Sequence, residues 1–330
     1  MTFDVSNPGT VASLFASSTE TLALTLRQRT LKSSIGCMGV GLHTGARVGL
    51  KLHPAPANTG IVFKRVDLVG GGAEIPARWS SVVDSRMCTV IADSSGVSVA
   101  TVEHLMSAFY GIGVDNALVE INGPEVPAMD GSAYPFVFLM ECAGLVEQDA
   151  PRKALRILKP TSVANGAKRV TLAPAAAGLT VDFEIDFKAA AIGRQTCSVT
   201  LDGDTFKLDV ARSRTFGLLS DVTALREAGL ARGGSMDNAI VVDGDRILNA
   251  DGLRHDNEFV LHKALDAIGD MYLCGRPIIG RFTGICSSHA DTARLMRQVL
   301  ADRTAWDIVD MPAAPASVGW SAPIGLAAIA

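Results

Sequence analysis

Between residues 258 and 273 the chain reads EFVLHKALDAIGDMYL, and its acids and single histidine recur at fixed intervals. Glu258, His262, Asp266 and Asp270 stand at i, i+4, i+8 and i+12, which on a helix makes one slowly drifting stripe. Around them lie Phe259, Val260, Leu261, Ala264, Leu265, Ala267, Ile268 and Met271, and only Lys263 adds a charge elsewhere. A polar stripe on an apolar helix is ordinarily a solvated face. Three stacked acids without an interleaved base repel one another, however, unless a cation or a proton lies among them. His262 and Asp266 are one turn apart, the spacing at which two side chains grip one metal ion, although HxxxD alone is a weak signal.

A second segment, TVEHLMSA at 101–108, supplies another histidine. Glu103 and His104 are neighbours and cannot share a helix face. At a helix start, however, one can bind a metal while the other reaches the attacking water. A ligand from a distant segment suits a catalytic zinc, which takes three protein ligands and leaves one position open. Taken alone, Glu-His is more often a surface pair. Ser287-Ser288-His289 places a further histidine in a small-residue loop after a strand, and by itself says little. His43 in a glycine-rich turn, His53 before a proline and His255 among charges read as structural or exposed.

These residues need elements to position them. The pattern predicts strands broken by glycines from about Gln28 to Leu52, with 47–52 alternating, and further strands at 61–66 and 97–100. A helix is expected at 101–110, a strand at 117–121 and a second helix at 134–143, ended by Gly144. Gln148–Lys153 reads as a boundary. Beyond it, strands are expected at 155–157, 169–172, 180–185, 239–242 and 280–283, with helices at 220–228, 258–273 and 290–301. Strands and helices mix without regular βαβ alternation, which favours α+β over a doubly wound sheet. The expected organisation is a loosely ordered extension at 1–25, α+β domains at 26–150 and 151–312, and a Pro/Ala-rich tail at 313–330. The letters themselves show no repeat.

The 330 residues are 48% hydrophobic and 19% charged with net charge −4, a globular composition without the basic field that nucleic acid requires. The uncharged stretch 313–330 is interrupted by Pro315, Gly319, Pro323 and Gly325, whereas a spanning helix needs roughly 20 apolar residues. The opening MTFDVSNPGT lacks the basic start of a secretory signal. Six cysteines form no CxxC pair, so reduced thiols in a cytoplasmic chain are expected. Gly39-Val-Gly41-Leu-His-Thr-Gly45 imitates a dinucleotide loop, but its last glycine comes one residue late, and no long helix or ribose-binding acid follows.

Seven segments together carry a resemblance: GVGLHTG (39–45), TVEHLMSA (101–108), PEVPAMDGSAYPF (124–136), RTFG (214–217), LARGGSMDNAIV (230–241), LRHDNEFVLHKALDAIGDMYL (253–273) and SSHA (287–290). In this order the chain resembles the UDP-3-O-acyl-N-acetylglucosamine deacetylases, zinc amidases of lipid A biosynthesis, over roughly residues 27–311. The resemblance implies two similar α+β halves, each a sheet with paired helices, packed helix layer to helix layer around the active site. It implies that His104, His262 and Asp266 hold Zn2+, a donor set that also accepts Fe2+. Glu103 then serves as general base, Thr215 helps stabilise the oxyanion, and His289, held cationic by Asp270, protonates the departing amine. Lys263 meets the substrate diphosphate and Phe216 packs near the sugar or nucleotide. Leu219, Ser235 and Asn238 belong to the 218–241 region that lines an apolar passage for the acyl chain. Asp130 is expected either to orient a zinc ligand or simply to form a turn before Gly131, and Cys88 to lie near the site.

Two departures from the expected pattern are Ser288, where a glycine often precedes the histidine, and Asn238, which could narrow the passage. The implied partner is a small UDP-sugar carrying an acyl chain, with no nucleic acid and no membrane segment, and the chain is expected to be a monomer. Rival expectations are a non-catalytic sugar-nucleotide or acyl-carrier binding protein on a retired enzyme fold, and a zinc hydrolase acting on another N-acyl sugar.

Overall fold

The computed structural model describes residues 25–311 apart from 70, 71 and 202. The expected extension and the Pro/Ala-rich tail fall outside the described residues.

Ten strands and two helices come first: β1 (Arg27–Leu31), β2 (Ile35–Val40), β3 (Arg47–Pro54), β4 (Ile61–Arg65), β5 (Glu74–Pro76), β6 (Val82–Asp84), β7 (Val90–Ala92), β8 (Ser98–Val99), α1 (Glu103–Ile112), β9 (Ala117–Ile121), α2 (Tyr134–Ala143) and β10 (Leu145–Pro151). There follow β11 (Lys153–Ile157), β12 (Thr161–Asn165), β13 (Lys168–Ala173), β14 (Leu179–Asp186), β15 (Arg194–Thr200), the short α3 (Gly203–Thr205) running into a π-helical stretch at Phe206–Val210, β16 (Phe216–Leu218), α4 (Leu219–Glu227), β17 (Ile240–Asp243), β18 (Arg246–Ile247), α5 (Glu258–Tyr272), β19 (Ile278–Ile285), α6 (His289–Ala301) and β20 (Trp306–Asp310).

The fold is α+β, and strand pairing reveals a repeat that the letters hide. The first sheet runs β2-β3-β9-β4-β5, with β4 parallel to β9 and the other pairs antiparallel. The second sheet has seven strands, of which the run β12-β13-β19-β14-β15 follows the same order, with β14 parallel to β19 and the other pairs of that run antiparallel; β11 joins it parallel to β19 and carries β20 antiparallel. Each sheet has one helix before its central strand (α1, α5) and one after it (α2, α6). Strands β3, β4, β9 and β14 alternate buried and more exposed residues, so one face of each sheet is covered. Helix α5 packs on β14 and β15, α6 on β12 and β13, and the two repeats meet through α1 against α5. That position explains why every residue of α5 except Lys263 is buried.

The two repeats carry their extra elements at the same place, between the fourth strand and the first helix. In the first this is the small sheet β6-β7-β8; in the second it is the 203–247 stretch with the sheet β16-β17-β18 and α4. Both therefore lie in the chain just ahead of the helices that carry the acids and histidines. Helix α1 starts two residues later than the pattern predicts because Thr101 takes φ +57, a conformation no helix contains. Pro135 in the first turn of α2 and Gly144 at φ +71 after its end mark that helix as expected.

Candidate metal centre and active site

His104 is the second residue of α1, while His262 and Asp266 lie one turn apart on α5, and one ligand atom from each falls within 4.8 Å of the others. Asp266 Oδ1 is 3.4 Å from the Nε2 atoms of both His104 and His262. Ligand arms of about 2.0–2.1 Å in a tetrahedron give edges of roughly that length. All three residues are buried, and Asp266 Oδ1 has no hydrogen-bond partner. An orphaned carboxylate oxygen is costly in a protein interior, and a cation at this point would satisfy it.

The chemistry of the donors agrees. His262 Nδ1 lies 3.1 Å from the Ser213 carbonyl, to which it donates, leaving Nε2 with its lone pair toward Asp266. Burial, with His104 and Lys263 beside it, lowers the His262 pKa to about 4 despite Asp266, so the ring is neutral near pH 7. Asp266 resists the effect of burial because His262 and Lys263 hold its carboxyl well below the usual range.

Around this group stands a second set of charges. Glu103, the first residue of α1, is buried, and burial raises its pKa. His289 opens α6 and donates Nδ1–H to Asp270 Oδ2 at 2.8 Å. Its Nε2 then lies 3.8 Å from both Glu103 Oε1 and Asp266 Oδ2. Burial opposes the charge on His289, but Asp270, Asp266 and Glu103 outweigh it and raise its pKa to about 9.

These groups border a cavity of about 710 Å³ whose walls include Glu103, His104, His262, Lys263, Asp266 and His289. Thr215 and Phe216 line it, followed by Leu218, Leu219, Val222, Leu225 and Ser235. Helix α4 has no buried residue, and Leu219, Val222 and Leu225 turn toward the cavity rather than into a packed core. Phe216 packs edge-on against Phe187, Phe259 and the His262 ring.

Residues 28–301 match the family model described as LpxC, UDP-3-O-acyl N-acetylglycosamine deacetylase. The chain belongs to this deacetylase family. Proteins named UDP-3-O-acyl-N-acetylglucosamine deacetylase from Acidithiobacillus ferrooxidans and Pseudomonas entomophila are 51% and 50% identical to it. Those matches cover 86% and 88% of this chain and 93% and 97% of the relatives. A third, from Idiomarina loihiensis, is 48% identical over 86% of this chain and 93% of its own.

The deacetylase fold gathers most of the residues singled out in the sequence; it corrects three expectations and decides a fourth, left open, for Asp130. Lys263 does not point away from the acidic stripe: its ammonium turns back to Asp266 Oδ2 at 2.7 Å, while the side chain still lines the cavity. Asp130 touches no metal ligand. It accepts from Ser132 N–H and Oγ–H within its own turn and from Arg254 at 2.8 Å, so it is the turn former, and the Ser213 carbonyl orients His262 instead. Asn238 lies apart from the 710 Å³ cavity, its amide accepting from Ser235 N–H and donating to the Gly233 carbonyl. His43, read as structural or exposed, lines the cavity.

The Ser288 departure is absorbed locally. Ser288 caps α6 in extended backbone at φ −127, with its N–H and Oγ–H both donating to Asp291. Cys88 is buried, and burial together with Glu103 pushes its thiol up to about 12, so it is no nucleophile. Glu258, on the same stripe, finds its base in Arg214, which donates from Nε at 2.8 Å and from its backbone N–H at 3.0 Å. That clasp fixes the residue next to Ser213. Sequence reasoning missed it because Arg214 and Glu258 are 44 positions apart.

Proposed function

We propose that this chain hydrolyses the N-acetyl group of UDP-3-O-acyl-N-acetylglucosamine, releasing acetate and the free amine, with zinc held by His104, His262 and Asp266. What supports this function above all is the buried, unpartnered Asp266 Oδ1 set between two imidazole nitrogens beside Glu103 and His289. A zinc ion bound there supplies a Lewis acid and makes a water far more acidic.

Glu103, whose basicity is raised by burial, takes the proton of the attacking water. The Thr215 hydroxyl, at the cavity wall, donates toward the carbonyl oxygen as negative charge develops on it. Asp270 holds the Nδ1–H of His289, so the proton on Nε2 is the one delivered to the departing amine nitrogen. Lys263 offers its ammonium to the diphosphate, and its pairing with Asp266 keeps it at the cavity wall without a substrate. Phe216 borders the sugar, and the apolar wall of Leu218, Leu219, Val222 and Leu225 suits an acyl chain. We infer a role in lipid A biosynthesis and a place in the cytoplasm from the resemblance read in the sequence. Among the described residues no helix is long and apolar enough to cross a membrane.

The test is direct. Purified protein is expected to carry about one divalent ion per chain, to lose deacetylation on chelation and to regain it with zinc. Glu103→Ala and His289→Ala are each expected to keep the metal and lower kcat by about 10²–10⁴-fold. Full activity in a metal-free preparation defeats the proposal.

A further inference from the structure

Thr89 follows Cys88 in the SRMCTV stretch, immediately before β7, in the small sheet inserted ahead of α1. It is buried, and nothing about its type or spacing singles it out as chemistry. In the structure it touches both acids that flank His289. Its backbone N–H donates to Glu103 Oε2 at 3.1 Å, and its hydroxyl donates to Asp270 Oδ1 at 2.6 Å. Its own carbonyl accepts from Val102 N–H at 3.3 Å, the residue just before α1.

Each carboxylate thus has its far oxygen held by Thr89 and its near oxygen turned to the histidine: Asp270 Oδ2 to Nδ1 at 2.8 Å and Glu103 Oε1 toward Nε2 at 3.8 Å. A carboxylate held at one oxygen only can still swing about its Cβ–Cγ bond. Held at both, Asp270 sets the plane and tilt of the imidazole, and so the direction in which Nε2 presents its proton. Thr89 also joins α1, which carries Glu103, to α5, which carries Asp270, through a third element that belongs to neither helix.

We propose that Thr89 is a positioning residue for the hydrolysis, its hydroxyl fixing Asp270 and thereby His289 relative to Glu103; this rests on the function proposed above. It does not touch the metal ligands or line the cavity, so substrate binding and metal content have no reason to depend on it.

The test uses Thr89→Val, which keeps shape and backbone N–H but removes the donor, alongside Thr89→Ser, which keeps the donor. Thr89→Val is expected to lower kcat by about 10- to 100-fold with KM and zinc per chain unchanged, while Thr89→Ser stays within a few-fold of wild type. In an Asp270→Asn background the Thr89→Val loss is expected to shrink to a few-fold, since the group it acts through is already altered. If Thr89→Val does not fold, Thr89→Cys substitutes a weak donor at similar volume and is expected to lose at least tenfold in kcat. Additive losses in the double variant, or Ser and Val losing equally, overturn the role.

Denaturant unfolding of the same four proteins of the cycle, with metal removed, separates this from the broader function. Coupling between the two positions, in a chain that shows no deacetylation, sinks the reaction proposed above and leaves the Thr89–Asp270 bond standing as a structural contact only. Absence of coupling sinks the Thr89 proposal whatever the activity.

Discussion

At the scale of single residues, His289 is the group whose charge state matters most. Three carboxylates surround it, and its pKa is raised to about 9 against an ordinary value of about 6.5. Because the folded value exceeds the unfolded one, its contribution to stability is fully present below about pH 6.5. That contribution is lost as pH rises through about 9. For a buried group it amounts to at most about 3 kcal/mol. A dication against Asp266 Oδ1 would oppose this charge, so the measurement belongs to the chelated protein. In that state the His289 ring protons, followed by NMR, are expected to titrate near pH 9, and Asp270→Asn to bring the midpoint down by more than one pH unit. A wild-type midpoint below pH 7 would show that Asp270 does not hold the charge. Lys263 gives a second residue-scale test. Lys263→Ala is expected to cost about 10- to 150-fold in kcat/KM on the UDP-linked substrate and little on one lacking the diphosphate. Equal losses on both, with metal released, would assign the lysine to Asp266 alone.

At the scale of elements, the site depends on how closely α1 approaches α5. Gly269 makes that approach, because a Cβ there would stand 1.9 Å from the Glu103 carbonyl oxygen and 2.8 Å from its carbon. Backbone cannot yield as a flexible side chain does. Gly269→Ala is therefore expected to force the helices apart, to cost about 3 kcal/mol or more, and to weaken metal binding, because His104 and His262 sit on opposite helices. Equilibrium denaturation together with metal analysis checks this; an alanine variant with unchanged stability and metal content would mean that the contact is not tight. The helices themselves were largely legible in the sequence. The residues 134–143 form a helix as predicted, and 258–273, 220–228 and 290–301 shift by a residue or so at their ends. Apolar periodicity was enough for α2, α5 and α6 because each lies against a sheet or a neighbouring helix, whereas α4 turns its apolar side to the cavity. Hidden from that reading were β10, β12, β15 and β20, the π-helical stretch at Phe206–Val210, and the tiny strands β5 to β7. Strands β10 and β20 pair with β1 and β11 far along the chain, β12 and β15 pair with their neighbours but bury at most one residue each, and a three-residue strand has no period to read. Thr89 and Ser213 were invisible because each acts through hydrogen bonds to side chains that only folding brings near.

At the scale of the whole molecule, the repeat puts one metal ligand on α1 and two on α5, in the regions we propose as separate domains at 26–150 and 151–312. An ion held by all three cross-links them and binds only the folded chain, so its binding free energy adds to stability. With free zinc at about a hundred times its dissociation constant, the gain is roughly 2.7 kcal/mol. In a chain of this size that corresponds to a rise in Tm of about 4 °C. The same rise is expected to vanish in Asp266→Ala. That variant removes a buried oxygen with no hydrogen-bond partner, so its metal-free form escapes the penalty of an orphaned buried acceptor but loses the neutralising partner of Lys263. The informative quantity is therefore the zinc-dependent shift within each protein, measured by calorimetry with chelator and then with zinc, and not the difference between their metal-free values. His104→Ala provides the complementary case, since it removes the ligand on α1 and leaves His262 and Asp266 able to hold an ion on α5 alone. If the ion stabilises by joining the helices, His104→Ala is expected to keep weak zinc binding yet lose most of the thermal shift. A full shift in His104→Ala would mean that the ion stabilises α5 locally and that α1 supplies only chemistry.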